Sequence, residues 1–257
     1  MIKRGQVATL VAEFLGTGFL TLLVLSVQRS TIGIPFFVAM IGALTTVVLV
    51  FIFGTVSGAI LNPAIAIGLW TARKLATLTT VAYVAFELLG AWAAYYVYGY
   101  FINTKLTFVG GHFTGRTLAA EAVGAGVLGL VWGAVAYKKW GNNIKAPVVG
   151  IATMVGMVLA STAGIGLINP GLALGIRAWV WGTYVAGPVI GAVIGVNLFG
   201  LLFTTDKELA TAKAEAIAWT TSSVSTVTKT KASTSKPATL KKNVSGKKTT
   251  SKKRSSK

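Results

Sequence analysis

Ser57-Gly58-Ala59-Ile60-Leu61-Asn62-Pro63-Ala64-Ile65-Ala66-Ile67-Gly68 is the stretch that decides the fold of this chain. Asn62 is a good helix N-cap, and Pro63 suits the first helical position, where the donor that proline lacks would go unpaired in any case. The helix that follows, to about Trp70, is apolar but only two or three turns long. A bilayer core takes about 20 helical residues to cross, so this segment must enter and stop. Such broken helices are tolerated at membrane depth only where protein or a water-filled cavity covers their ends. A second copy, Gly164-Ile165-Gly166-Leu167-Ile168-Asn169-Pro170-Gly171, again opens a short apolar run. Two broken helices in corresponding places mark a binding or conduction path between two halves.

The remainder of the chain supplies the membrane. Of its 257 residues 54% are hydrophobic and 12% charged, and the mean hydropathy is +0.72, which excludes an ordinary soluble domain. Apolar runs of spanning length fall at 7–27, 34–53, 77–101, 117–137, 146–163 and 180–203. The chain therefore reads as an all-α membrane protein, with six transmembrane helices and two re-entrant half-helices. Met1-Ile2-Lys3-Arg4 leads directly into a run long enough to span, so the first helix is expected to be a retained anchor. With no cysteine, disulfides, thiol catalysis and thiolate metal sites are excluded. The single histidine, His112, lies in a Gly-rich loop and reads as a solvated residue. Neither a metal nor a cofactor is expected.

Basic residues set the expected orientation, because short cytoplasmic loops carry the excess of lysine and arginine. Lys3, Arg4, Arg73, Lys74, Lys138, Lys139 and Lys145 fall on one side, against Arg29, Lys105, Arg116 and Arg177 on the other. Both termini are thus expected in the cytoplasm of a cell-membrane protein. Trp70, Trp132, Trp140, Trp179 and Trp181 lie near inferred span ends and read as interfacial anchors. Glycines such as Gly18, Gly90, Gly126, Gly191 and Gly195 read as close-packing positions between helices.

An internal repeat supports the count. Glu13 in Ala-Glu-Phe-Leu-Gly and Glu121 in Ala-Glu-Ala-Val-Gly are 108 residues apart, while Asn62 and Asn169 are 107 apart. Three crossings separate the copies, so the second is inverted relative to the first. Glu13, Glu87 and Glu121 are carboxyls inside apolar segments, costly enough to imply a task.

From 206 the composition turns to Ser, Thr, Ala and Lys, giving a channel-like domain at 1–205 and a tail at 206–257. The tail is expected to be disordered, apart from a short helix over 206–219 lying along the membrane. Anionic lipid head groups fit its polybasic end, at about 1 kcal/mol per basic residue near the surface. Nucleic acid fits through phosphate neutralisation, and a solvated tail that only sets topology is the plain reading.

Ala-Glu-Phe-Leu-Gly-Thr at 12–17, Ser-Gly-Ala-Ile-Leu-Asn-Pro-Ala at 57–64, Glu-Leu-Leu-Gly-Ala at 87–91, Ile-Asn-Pro-Gly at 168–171 and Gly-Pro-Val-Ile-Gly-Ala at 187–192 resemble the major intrinsic protein family, the aquaporins and glycerol facilitators. The resemblance covers about residues 8–203. It implies a homotetramer with one pore per subunit, the half-helices meeting end to end at mid-membrane, and a central constriction at Asn62, Pro63, Ala64, Asn169, Pro170 and Gly171. It also implies that Glu13 and Glu121 are structural supports, accepting backbone hydrogen bonds from the half-helix loops.

The departures from the family pattern bear on the permeant. The arginine expected three residues after the second Asn is Leu172, and Arg177 lies where glycerol-conducting members tend to have a basic residue, but Ala173 lacks the accompanying aspartate. With Gly42, Met157 and Gly166 these residues make the expected outer filter, a mouth wider and less polar than that of a strict water channel. Ile60 stands for a histidine and Glu87 for a glutamine. The leading expectation is a passive channel for water or a small neutral solute such as glycerol. Two alternatives are a membrane scaffold whose basic tail tethers a polyanion and an ion- or proton-coupled transporter using Glu87.

Overall fold

The computed structural model describes residues 4–211 and Ala214. Its helices run α1 (Arg4–Gln28), α2 (Pro35–Phe53), α3 (Pro63–Thr71), α4 (Thr77–Ile102), α5 (Gly115–Lys138), α6 (Asn142–Ala160), α7 (Pro170–Gly175) and α8 (Gly187–Leu202), and α8 is entered through a π-helical turn at Trp181–Ala186. Six of these are long and apolar enough to cross a bilayer, with the last counted as Trp181–Leu202. The two short helices are those that follow Asn62 and Asn169. The protein is therefore an all-α, multi-pass membrane protein with two re-entrant half-helices.

Local chemistry sets the boundaries. Asn62 and Asn169 cap α3 and α7 by accepting the Ala64 and Gly171 N–H groups, at 3.0 and 2.8 Å. Thr114 caps α5 in a reciprocal pair with Thr117, and α4 ends on Asn103 in the left-handed conformation. Two boundaries depart from expectation. The fifth crossing begins at Asn142 rather than 146, with Pro147 in its second turn, where a missing donor costs one bond near the end of the ladder. Lys145 is therefore inside a helix and not in the preceding loop. Pro188 cannot donate to the carbonyl of Tyr184, and the turn just before it widens into the π geometry.

The halves pack alike. α1 lies along α4 and α5 along α8, the corresponding pair 108 residues on, while α2 meets α6 between the halves. Glycine makes the closest approaches: a methyl at Gly90 would overlap the Phe14 carbonyl, and one at Gly191 would overlap the Ala122 carbonyl. In lipid this backbone proximity is the source of helix adhesion, since apolar burial against apolar tails gains little. Thr205 and Glu208 cap a short helix at 206–211, the start of the expected 206–219 helix. The rest of the tail, with its lipid or nucleic-acid contacts, lies outside the described residues.

Trp132 is a correction. It is not an interfacial anchor: only 4% of it is accessible, and it faces the interior between the halves. Trp70 and Trp181 remain exposed.

Candidate functional site

The site is built where the loops before α3 and α7 meet. Each loop carries backbone that L-residues resist: Ala59 and Leu61 have φ of 51° and 54°, and their counterparts Gly166 and Ile168 have 69° and 49°. A left-handed conformation at a non-glycine residue costs on the order of 1–3 kcal/mol and needs outside support. The buried glutamates give it. Glu13 accepts from the N–H groups of Ile60 (3.2 Å) and Leu61 (2.8 Å), and Glu121 from those of Leu167 (2.9 Å) and Ile168 (2.6 Å). Each carboxyl fork thus gathers two consecutive donors that have no helical partner.

With the loops so held, the two asparagines link the halves. Asn62 Nδ2 donates to the Ile168 carbonyl at 3.1 Å, and Asn169 Nδ2 donates to the Leu61 carbonyl at 2.8 Å. Each side-chain oxygen is already used as a helix cap, and each amide has one further N–H. Those N–H groups belong to side chains that line a cavity of about 20 Å³, room for about one water molecule. Apolar groups, among them Leu20, Ile60, Leu128, Trp132 and Val149, form most of the remaining wall. Thr46 and Thr153 also face it, with their hydroxyls donating to the carbonyls of Gly42 and Val149 one turn back. The arrangement leaves two amide N–H groups available to an oxygen in a mostly apolar space.

On the α7 side of the asparagines the wall is Met157 and Leu172, each only 2% accessible. Gly42 faces Met157, whose Sδ would lie 2.9 Å from a methyl placed there. The structure brings these three residues together, and the side chains they place there are apolar. It is not wide: the Met157 thioether fills the room that Gly42 leaves. Gly166 lies behind, against the Met157 carbonyl and Ser161, and is not part of the cavity wall. Arg177 stays outside the mouth, exposed, with its guanidinium 5.9 Å from the Tyr95 ring centre. Pro63, Ala64, Pro170 and Gly171 are buried at the starts of the half-helices.

The roles of three residues escaped sequence reasoning, although Glu87 itself stood out there as an intramembrane carboxyl. Glu87 donates a second carboxyl to the first loop, accepting from the Asn62 N–H at 3.1 Å. Arg29, at the end of α1, ties the loop after α4 to the end of α7 by bonds to Thr107 Oγ1, Thr107 O and Ile176 O at 3.2, 2.8 and 3.0 Å. Partial burial pushes its guanidinium down from the ordinary range, and the neighbouring Tyr98 phenol acts the other way. Lys145 reaches the first loop from α6.

A family model described as major intrinsic protein matches residues 3–199. Curated relatives include aquaporin NIP1-3 of Oryza sativa subsp. japonica, 30% identical, with 77% of this chain and 75% of the relative covered. Aquaporin AqpM of Methanothermobacter thermautotrophicus is 28% identical, over 60% of this chain and 71% of the relative. The X-ray structure of the aquaglyceroporin from Plasmodium falciparum shares the fold at a TM-score of 0.62 and 22% identity, covering 77% of this chain and 96% of that one. Inverted halves, paired half-helices and a shared central cavity define a membrane channel for water or small solutes. The chain belongs to the major intrinsic protein family.

Proposed function

We propose that the protein is a passive channel for water and small neutral solutes such as glycerol, working in a cell membrane with both termini in the cytoplasm. The observation that carries this reading is the pair of Asn62 and Asn169 amides, each with one N–H fixed on the opposite loop and each belonging to a side chain that lines a cavity sized for water. A permeating oxygen exchanges its bonds to water for bonds to these donors, so it need not cross an apolar space unsatisfied. The start of α3 adds partial positive charge beside it, an electrostatic barrier to cations of which aquaporin-type pores are a standard instance.

The proposed constriction comprises Asn62, Pro63, Ala64, Asn169, Pro170 and Gly171, with Gly42, Met157 and Leu172 as the filter beyond it. Met157 is unbranched and flexible, and its movement would admit a solute larger than water. The relatives' family supports a homotetramer with one pore in each subunit. Purified protein in liposomes is expected to speed shrinkage in a sucrose shock and re-swelling in a glycerol shock, both followed by light scattering. Shrinkage at the rate of empty liposomes, with protein correctly inserted, would refute the channel.

A further inference from the structure

The wall of the central cavity carries no charged side chain among the described residues. A charge nevertheless lies directly beneath it. Thr153, Val149 and Lys145 follow one another at four-residue spacing on α6, and the first two line the cavity. Lys145 continues that row by one turn, toward the side where α1 begins. It is a lysine only 6% accessible, and its ammonium donates to the carbonyls of Gly58 (3.0 Å) and Gly54 (3.4 Å). Gly58 lies two residues before Ile60, a wall residue of the cavity. The same ammonium lies 6.0 Å from the ring centre of Trp132, which lines the cavity from α5. Three separate elements, α5, α6 and the loop before α3, thus place it at the inner end of the cavity.

A buried ammonium is expensive, and two carbonyls do not replace its full hydration. Capping Gly54 and Gly58 would need only a neutral donor. What the charge adds is a field directed along the cavity. Glu13 lies near enough to Lys145 to act on it electrostatically, and Glu13, Glu87 and Glu121 all stand behind the loops that form the cavity. Glu13 and Glu87 can share one proton, so the negative charge behind the loops is what that pair and Glu121 retain; it favours cations in the path, and Lys145 opposes it from the side that the filter of Met157 and Leu172 leaves unguarded.

We infer that Lys145 is a specificity-determining residue, a fixed cation at the inner mouth that keeps protons and metal cations out of a path open to neutral solutes. The inference deepens the channel reading above and rests on it. A unit charge about 10 Å from the path, at an effective dielectric of about 20, alters a cation's flux by about tenfold before salt screening, so fivefold is a lower bound.

The test uses the full chain in liposomes, with water flux read from osmotic shrinkage and proton and potassium leak read under an imposed potential. Lys145→Arg is expected to keep the parent's low leak. Lys145→Gln retains a donor for Gly58 and Lys145→Met removes it; both are expected to raise cation leak about fivefold or more, while water flux stays within about twofold. The glutamine variant keeps the test open if methionine prevents folding. Parental leak in an inserted, water-conducting glutamine variant would overturn the inference and reduce Lys145 to a cap. Lost water flux without added leak would do the same. A parent that passes no water would instead refute the channel itself.

Discussion

The carboxyl groups of Glu13 and Glu87 lie within hydrogen-bond reach of each other beneath the first half-helix loop. Glu13 accepts from Ile60 and Leu61, and Glu87 from Asn62, so three consecutive N–H groups end on the pair. Glu87 Oε2 has no N–H or O–H donor. A bond between two carboxyls needs a proton on one of them. The second loop has a simpler support, Glu121 alone on Leu167 and Ile168.

That asymmetry gives the first prediction. In Glu87→Gln the amide donates to Glu13 without any bound proton, while its oxygen still accepts from Asn62. Stability is expected to rise by about 1 kcal/mol, the net worth of an ordinary hydrogen bond, with water flux unchanged. Thermal unfolding in detergent and osmotic shrinkage check both parts. A fall in water flux with normal insertion would show that the carboxyl itself takes part in conduction. Glu13→Ala, by contrast, leaves two buried N–H groups unpaired, at about 1–3 kcal/mol each, and is expected to insert poorly.

Asn62→Asp and Asn169→Asp form the second prediction. Aspartate can still cap Ala64 or Gly171, but it has no N–H to give to Ile168 or Leu61 and sets negative charge against a carbonyl oxygen. Each variant is expected to lose at least about tenfold in water flux, for a cost of about 1–3 kcal/mol from one unpaired group. Flux at the parental rate in either would remove the asparagines from the conduction path.

Much of this was legible in the sequence, for reasons that differ by residue. Asn62 and Asn169 announce themselves because Asn-Pro is a helix start, and apolar runs of nine and six residues cannot span. Glu13 and Glu121 stand out because carboxyls are rare in apolar segments. The left-handed Leu61 and Ile168 gave no such signal, since branched side chains are poor candidates for positive φ; the carboxyl support across the fold decides it. Lys145 was hidden by its neighbours, for Asn142 and Asn143 make its surroundings read as a loop. Trp132 was misread because position near a span end does not say which face of the helix it occupies. Met157 could be placed on the path by spacing, but whether it fills the mouth depends on its approach to Gly42.

The third prediction separates Leu172 from Arg177. Leu172 is buried on the cavity wall, whereas Arg177 is exposed beside Tyr95 and five residues on. Arg177→Ala is therefore expected to leave the glycerol-to-water flux ratio unchanged. Leu172→Arg puts a longer side chain and a charge into the mouth, so glycerol flux is expected to fall more than water flux, and proton leak to shrink. A selectivity change in Arg177→Ala would mean that this side chain turns into the mouth during transport.

The last prediction concerns Gly42 and Met157, whose contact closes the proposed filter. A methyl at Gly42 would come within 2.9 Å of Met157 Sδ, tighter than van der Waals contact allows. The atom it meets is near the end of a flexible chain, so Gly42→Ala displaces the thioether rather than the backbone, at modest cost to stability. The cavity already lies on the other side of Met157, and the displaced side chain has that room to enter. Gly42→Ala is thus expected to lower both fluxes, glycerol more strongly. Met157→Ala does the reverse: it empties the contact, raises glycerol flux relative to water, and costs about 2–5 kcal/mol if the cavity stays unfilled. If the two residues act only through this contact, the effect of Gly42→Ala disappears once Met157 is alanine. The double variant is then expected to match Met157→Ala in its glycerol-to-water ratio, a coupling that a double-mutant cycle reads directly. Additive effects of the two substitutions would show that Gly42 shapes the path by some route other than Met157.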